Sequence, residues 1–150
     1  MAGKIRKNGF TIVELLIVIA ILLILMAVIY KPISQKIQAH NIDRDLKKLY
    51  GLLQEGRMIA FTQKKNLTFS FTADGACLYE GTLPIKCITL DYPFSFGTGS
   101  SIGITDRGTF SSTGAIRYTG SADLPYTNCI VVSNIRVKMG VWNGSQCNPK

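Results

Sequence analysis

Four cysteines are the residues of this chain whose spacing says most about chemistry. They are Cys77, Cys87, Cys129 and Cys147, and no Cys-x-x-Cys pair occurs. This spacing disfavours a zinc site or a thioredoxin-like redox centre. In an oxidising compartment we expect two disulfides, for which four cysteines allow three connectivities. Closure between sequence neighbours favours Cys77–Cys87 and Cys129–Cys147, and four buried free thiols are the alternative.

Other chemistry is restricted by what the sequence lacks. His40 is the only histidine, so sites that need two or three histidines are excluded. No phosphate-binding loop, dinucleotide fingerprint or serine nucleophile elbow occurs. We therefore predict no catalytic residue, no metal and no cofactor, and a protein that is not an enzyme. The 17 Lys and Arg residues outnumber the 9 Asp and Glu residues, which gives a net charge of +8.

One apolar run dominates the N-terminal region. Between Phe10 and Tyr30 the residues other than Thr11 and Glu14 are apolar. As a helix this run would rise about 31 Å, roughly the thickness of a bilayer's hydrocarbon core. The preceding residues 1–9 hold three cations and no acid (Lys4, Arg6 and Lys7). Positive charge stays cytoplasmic, so we predict a single membrane pass with the N-terminus in the cytoplasm and everything after Tyr30 translocated.

The boundary between the charged and apolar residues carries a recognisable pattern. The segment Gly9-Phe10-Thr11-Ile12-Val13-Glu14 resembles the leader of type IV pilins and type II secretion pseudopilins, Gly-Phe-Thr-x-x-Glu. The resemblance implies that a prepilin peptidase cuts between Gly9 and Phe10 and methylates the new N-terminus. It also implies that Glu14 pairs with the amine of a neighbouring subunit and sets the register of assembly.

Two other interpretations of the N-terminal region remain. A secretory signal peptide has a shorter apolar core and ends in a small-x-small cleavage site, which is absent before Lys31. A plain signal anchor fits the length and charge but gives no reason for Glu14, because a carboxylate in an apolar span costs about 2.5 kcal/mol or more.

The helical pattern continues beyond the apolar run. Apolar residues return at steps of 4, 3, 4 and 7 along one helix face (Ile42, Leu46, Leu49, Leu53 and Ala60). Charged residues between them, from Asp43 to Lys48, are predicted to form a solvated face. We predict one helix over Phe10–Phe61 with a kink at Pro32. The predicted segments are a cleaved leader (1–9), a membrane and filament-core helix (10–30), an amphipathic helix (31–62) and a β-rich periplasmic head (63–150).

The head contains only strand signals. Alternating or β-rich stretches bounded by turn residues predict strands at Leu67–Thr72, Ala76–Tyr79, Ile88–Leu90, Ile102–Thr105, Thr109–Ser111, Ala115–Tyr118, Cys129–Val132 and Ile135–Met139. Ser95–Ser101 is rich in Gly and Ser and is predicted to be a loop. One long N-terminal helix followed by strands predicts an α+β fold, with the helix packed on an antiparallel sheet as in pilins.

Two head segments resemble the GspH/FimT branch of minor pilins and pseudopilins. They are Phe110–Ile116 and the hairpin that ends Ile135-Arg136-Val137-Lys138. The resemblance implies a minor subunit of a type IV pilus or type II secretion pseudopilus, placed near the tip. Its partners would be other pilin or pseudopilin subunits, the prepilin peptidase and the inner membrane.

DNA is a further candidate partner. Some FimT-like minor pilins bind DNA during uptake through a C-terminal Gly-Arg-x-Arg motif. The nearest match here is Asn134-Ile135-Arg136-Val137-Lys138, in which Arg136 and Lys138 supply the charges that phosphates require. A solvated strand face is the alternative role for these two residues.

Overall fold

The computed structural model describes residues 10–97, 99–120 and 127–150, and within them every side chain except those of residues 28–32. The described elements are α1 (Ile12–Gln63), β1 (Leu67–Thr72), β2 (Gly75–Glu80), β3 (Leu83–Thr89), β4 (Phe94–Phe96), β5 (Ser101–Ile104), β6 (Gly114–Tyr118), β7 (Cys129–Val132), β8 (Val137–Trp142) and β9 (Cys147–Pro149). One long helix packed on antiparallel strands confirms the predicted α+β class. The chain divides into two compact units, Met1–Ile37 and Gln38–Lys150, which we call the N-terminal and C-terminal units.

In the C-terminal unit, α1 buries the face that the apolar spacing predicts. Ile42, Leu46, Leu49, Leu53 and Ala60 are all fully buried. After Gln63, Lys64 adopts a left-handed conformation with φ of 56°, and the Lys65 N–H donates to the Ala60 carbonyl at 3.2 Å. This is a common way for a helix to end, because it satisfies a carbonyl that has no partner within the helix.

The strands form two sheets rather than the one that the sequence predicts. The first sheet has the order β3-β2-β1-β5 and the second has the order β4-β6-β7-β8-β9, with antiparallel pairing throughout. Both sheets contribute to one hydrophobic core with α1. Phe69, Leu78 and Ile102 enter it from the first sheet, and Ile116 and Ile130 enter it from the second. The helix therefore holds the two sheets together through shared burial.

Several predicted strands have different bounds in the structure. β3 is longer than the predicted Ile88–Leu90 and lies at a sheet edge with mostly exposed side chains, so its sequence shows no alternation. Thr109–Ser111 is not a strand, because Phe110 makes only an isolated bridge to Ile104. β4 and β9 were not predicted at all, since three-residue strands carry almost no periodic signal. The final hairpin turns across residues 133–136.

A half-buried carboxylate ties α1 to the segment before β7. Asp43 forms an ion pair with Lys47 at 2.7 Å and accepts a hydrogen bond from the Thr127 hydroxyl. Partial burial by itself would raise the pKa of Asp43. The hydrogen bonds from Lys47 and Thr127 and the charges of Lys47 and His40 outweigh that effect and lower the pKa below its usual 3.8.

Two glycines of α1 have different surroundings. Gly51 is exposed, and a Cβ atom there would have no atom within 4 Å. Gly56 is buried, and a Cβ atom there would lie 2.7 Å from Leu78 Cδ2 and 3.0 Å from Ile104 Cδ1. Gly56 therefore allows α1 to approach the first sheet closely, whereas Gly51 is tolerated without a packing role.

We predict that Gly56→Val lowers the free energy of unfolding by about 1–3 kcal/mol, because the added carbons must displace Leu78 and Ile104. Gly51→Val is the matched control, and we expect it to stay within about 0.5 kcal/mol of the parent protein. Denaturant unfolding of the full chain in detergent, followed by circular dichroism, measures both. Equal losses for the two variants would contradict the close approach at Gly56.

Candidate functional site

Thr11 caps the N-terminus of α1. The Glu14 N–H donates to Thr11 Oγ1 at 3.3 Å, and the Leu15 N–H donates to the Thr11 carbonyl at 3.2 Å. The first bond satisfies a backbone N–H that has no partner within the helix, and the second is the first regular hydrogen bond of α1. The Thr11-x-x-Glu14 spacing is that of a capping box, and it would have predicted this cap from the sequence.

Glu14 lies exposed in the first turn of α1. A negative charge there is favoured by the helix dipole, which gives Glu14 a role within its own helix. That role does not depend on a neighbouring subunit. Any test of Glu14 in assembly must therefore separate the loss of pairing with a neighbouring subunit from a weakened start of the helix.

Apolar side chains surround the described start of α1. Phe10 is 79% exposed, Ile12 is 80% exposed, and every large apolar side chain from Phe10 to Met26 is exposed in the single chain. A helix that is apolar on all sides requires cover from another molecule or from lipid. Within the described residues, no helix meets the length and hydropathy needed to cross a membrane.

The N-terminal sequence matches a known family model. Residues 4–30 match the model described as "Prokaryotic N-terminal methylation motif". The match supports the pilin and pseudopilin class, whose members are structural subunits made as precursors that are cleaved and methylated. It ends at Tyr30 and so does not extend to the C-terminal unit.

No curated protein and no solved structure matches the chain. Residues 1–9 lie outside the described residues, and Gly9 is among them. The predicted cleavage between Gly9 and Phe10 therefore involves a residue outside the described part of the chain.

The four cysteines form two disulfides, each within one sheet. Cys77 and Cys87 are directly opposite each other on β2 and β3, with a Cα–Cα distance of 4.1 Å. Cys129 on β7 bonds to Cys147 on β9 across the intervening β8, with a Cα–Cα distance of 6.0 Å. This is the connectivity that closure between sequence neighbours favours. The second disulfide fixes the C-terminal strand to the sheet.

The two candidate DNA contacts, Arg136 and Lys138, are both exposed and flank the buried Val137. Arg136 is in the β7–β8 turn and Lys138 is on β8. On β6, which β7 separates from β8, the Arg117 guanidinium lies over the Trp142 ring, 5.0 Å from its centroid. Sequence reasoning did not connect Arg117 with Trp142, because sheet pairing rather than spacing brings them together.

Cations are paired unevenly in the C-terminal unit. The ion pairs involve α1, the first sheet and the segments next to them: Arg44–Asp45, Arg44–Asp91, Lys47–Asp43, Lys48–Asp45, Lys65–Glu80 and Lys86–Glu55. The same part of the chain also holds cations without an ion pair to a described carboxylate (Arg57, Lys64 and Arg107). In the second sheet and its turns, by contrast, none of the described cations (Arg117, Arg136, Lys138 and Lys150) forms such a pair.

Asp45 is fully buried, contrary to the prediction of a solvated face. Its carboxylate accepts hydrogen bonds from the Lys48 ammonium at 2.8 Å and from the Asp91 N–H at 2.7 Å. Asp45 lies three residues after Ile42 and four before Leu49, so the helical spacing had placed it on the apolar face. Its two partners supply the bonds that a buried charge requires, and they fix the segment after β3 to the helix.

That segment forms one wall of a cavity of about 270 Å³. The opposite wall is the β1–β2 turn, and the Leu90 N–H joins the two walls by donating to the Asp74 carbonyl at 3.0 Å. Aromatic, aliphatic and acidic side chains line the cavity, among them Phe71, Asp74, Leu90, Asp91, Tyr92 and Phe94. Arg44 pairs with Asp91, whereas Asp74 is exposed and pairs with no described cation.

We predict that replacing both Cys129 and Cys147 by Ala lowers the free energy of unfolding by about 2–4 kcal/mol, because an 18-residue loop is no longer closed. The local effect should be faster hydrogen exchange at the Lys150 amide, which donates to the Met139 carbonyl at 3.0 Å.

The double replacement of Cys77 and Cys87 is the matched control. It should lower stability without changing exchange at Lys150, since that disulfide lies in the other sheet. Unchanged exchange at Lys150 after loss of Cys129–Cys147 would show that β9 is held without the disulfide.

Proposed function

We propose that this chain is a minor pilin or pseudopilin, made as a precursor and built into a type IV pilus or type II secretion pseudopilus. The prepilin peptidase cleaves after Gly9 and the new N-terminus, Phe10, is methylated. The observation that carries the proposal is the methylation-motif match over residues 4–30 together with a capped helix start at Thr11. Cleavage would leave the helix start intact, since Thr11 lies after the cut.

In this proposal residues 10–30 anchor the precursor in the inner membrane and then form the filament core. The exposed apolar side chains of α1 support it, because neighbouring subunits or lipid would supply the cover they lack. The β-rich head lies in the periplasm, whose oxidising conditions suit its two disulfides. The tip position follows from the resemblance to the GspH/FimT branch.

Glu14 serves assembly by pairing with the amine of Phe10 on a neighbouring subunit. Between apolar helices this pairing is strong and an unpaired charge is heavily penalised, so register is enforced. The capping role of Glu14 depends mainly on its backbone N–H, which any residue other than proline supplies. Glu14→Gln therefore removes the charge and leaves the hydrogen bond to Thr11 in place.

The test is expression with the prepilin peptidase and the other subunits, followed by intact mass and crosslinking in the membrane. The parent chain should lose residues 1–9 and gain one methyl group. Gly9→Val should keep the precursor mass, because a branched side chain blocks close approach to the backbone. Glu14→Gln should be cleaved normally but crosslink to other subunits at least about tenfold less, since an unpaired buried ammonium is costly.

Thr11→Ala is the control for the helix start. It removes the cap, at a cost of about 1 kcal/mol, and keeps the Glu14 charge, so it should assemble better than Glu14→Gln. A parent chain that keeps its precursor mass with the peptidase present would instead support the plain signal anchor.

DNA binding is a second candidate function, favoured by the unpaired cations of the second sheet. Lys138 and Arg117 are exposed on that sheet, and Arg136 lies at its turn. Phosphate contacts of this kind give affinity that falls as salt concentration rises.

We predict that, if this function holds, Arg136→Ala combined with Lys138→Ala weakens DNA binding and lowers the slope of log affinity against log salt by about 1–2. The control is Lys64→Ala combined with Lys65→Ala, an equal charge loss beyond the end of α1. Fluorescence anisotropy with a labelled duplex measures both. Equal binding by the parent and the Arg136/Lys138 variant would exclude this site.

A further inference from the structure

The cavity between the β1–β2 turn and the segment after β3 marks one end of the C-terminal unit, which we call the cavity end. Aromatic and aliphatic side chains line it together with polar groups, and Asp74 adds a negative charge that no described cation neutralises. The cavity is open and, at about 270 Å³, lies just below the roughly 300 Å³ at which small-molecule pockets begin. It suits an inserted side chain better than a cofactor.

The β7–β8 turn has the opposite properties. Residues 133–136 form a tight turn that the Ser133 N–H closes by donating to the Arg136 carbonyl at 2.8 Å. Ile135 is 64% exposed on it, and Arg136 is exposed beside it without an ion-pair partner among the described residues. We call this the turn end. It presents an apolar side chain and a cation together.

The first sheet separates the two ends. Thr72 at the end of β1 adjoins the cavity, whereas Leu67 at its start pairs with Ile104 on β5. Ile104 bridges to Phe110, whose N–H donates to the Asn134 carbonyl at 2.8 Å. The turn end is therefore next to the start of β1 and the cavity is at its finish. Five residue steps of about 3.3 Å separate them by roughly 17 Å.

The second sheet gives the same arrangement. Phe94 lines the cavity and pairs with Tyr118 at the finish of β6. Gly114 at the start of β6 pairs with Val132, the last residue before the turn end. Both sheets thus run from one end to the other, and the two patches face away from each other.

We propose that the turn end of one copy of this chain docks into the cavity end of a second copy. Ile135 enters the cavity against the aromatic and aliphatic walls, and Arg136 pairs with Asp74. Because the two patches differ and lie at opposite ends, the contact is heterologous and leaves a free cavity end on one copy and a free turn end on the other. It deepens the proposed function, on which it rests, by naming a contact between two copies of this minor subunit.

Charge complementarity is what selects a second copy as the occupant. Without residues 1–9 the chain loses three cations and keeps a net charge of +5, so an acid at the contact lowers the repulsion between two copies. Asp74 is such an acid, and the turn end offers a cation beside an apolar side chain that fits the cavity walls. Complementary charge of this kind sets register and excludes wrong partners.

Charge reversal tests the contact in the full chain in detergent, by sedimentation at low salt. Asp74→Arg and Arg136→Asp should each raise the midpoint concentration of self-association at least about tenfold, because like charges then meet at the contact. The chain carrying both changes should return to within about threefold of the parent. An equimolar mixture of the two single variants should also associate, since each cavity then meets a turn of opposite charge.

Two controls match the charge changes. Asp106→Arg reverses an exposed acid outside the cavity, and Lys150→Asp reverses a cation outside the turn. Both should shift the midpoint less than about threefold. Intact disulfides and an unchanged circular dichroism spectrum show that each variant is folded.

A photo-crosslinker at Ile135 in native membranes gives an independent readout. Crosslinks to the peptide of a second copy that contains Tyr92 and Phe94 support the contact. Failure of the double variant and of the mixture to recover, or crosslinks from Ile135 only to other proteins or other surfaces, would overturn it. None of these changes touches residues 9–14, so normal cleavage with failed recovery rejects the contact alone and leaves the proposed function standing.

Discussion

The apolar surface of α1 is the constraint on which the rest of the structure depends. In the C-terminal unit this surface is covered by two sheets, with side chains such as Leu46 and Leu53 fully buried. Among the described side chains from Phe10 to Met26 the large apolar ones are exposed, and Leu23 and Ile24 are about two-thirds exposed. Covering a side chain of that size contributes about 1.5–3 kcal/mol, so the first part of α1 has a large gain available from lipid or from other subunits.

Polar contacts on α1 determine where the connecting segments lie. Asp45 holds the segment after β3, and Asp43 holds the segment before β7 through Thr127. Both carboxylates lie on or beside the face of α1 that packs against the sheets. Each fixes the position of a connecting segment, which hydrophobic burial alone would not specify. Gly56 completes the fit, because the absence of a side chain there lets the helix approach Leu78.

Much of the fold was predictable because its signals are local. The buried face of α1 and the strands β1 and β7 follow from helical spacing and alternation. The division into two sheets was not predictable, since it depends on pairings such as Ile116 with Ile130 that no local pattern encodes. The first five residues of β3 escaped prediction because an edge strand with exposed side chains does not alternate.

The candidate site divides in the same way. The leader pattern around Glu14 is local, and the family match covers the same segment. The cap by Thr11 also has a local signal in the sequence, the Thr-x-x-Glu spacing. Asp45 was predicted to be solvated because of its charge, although its position in the helical repeat placed it on the buried face. The cavity and the Arg117–Trp142 contact arise only when distant segments are brought together.

The placement of the disulfides has a mechanical consequence. Each closes a loop inside one sheet, and neither joins the two sheets covalently. Under tension along the chain the sheets can part from each other once the shared core opens, yet the residues between each pair of cysteines cannot be drawn out. The extension of the stretched protein would therefore be shorter than that of a chain with the same number of residues and no disulfides. Each disulfide-closed loop would stay closed when the hydrophobic core opens.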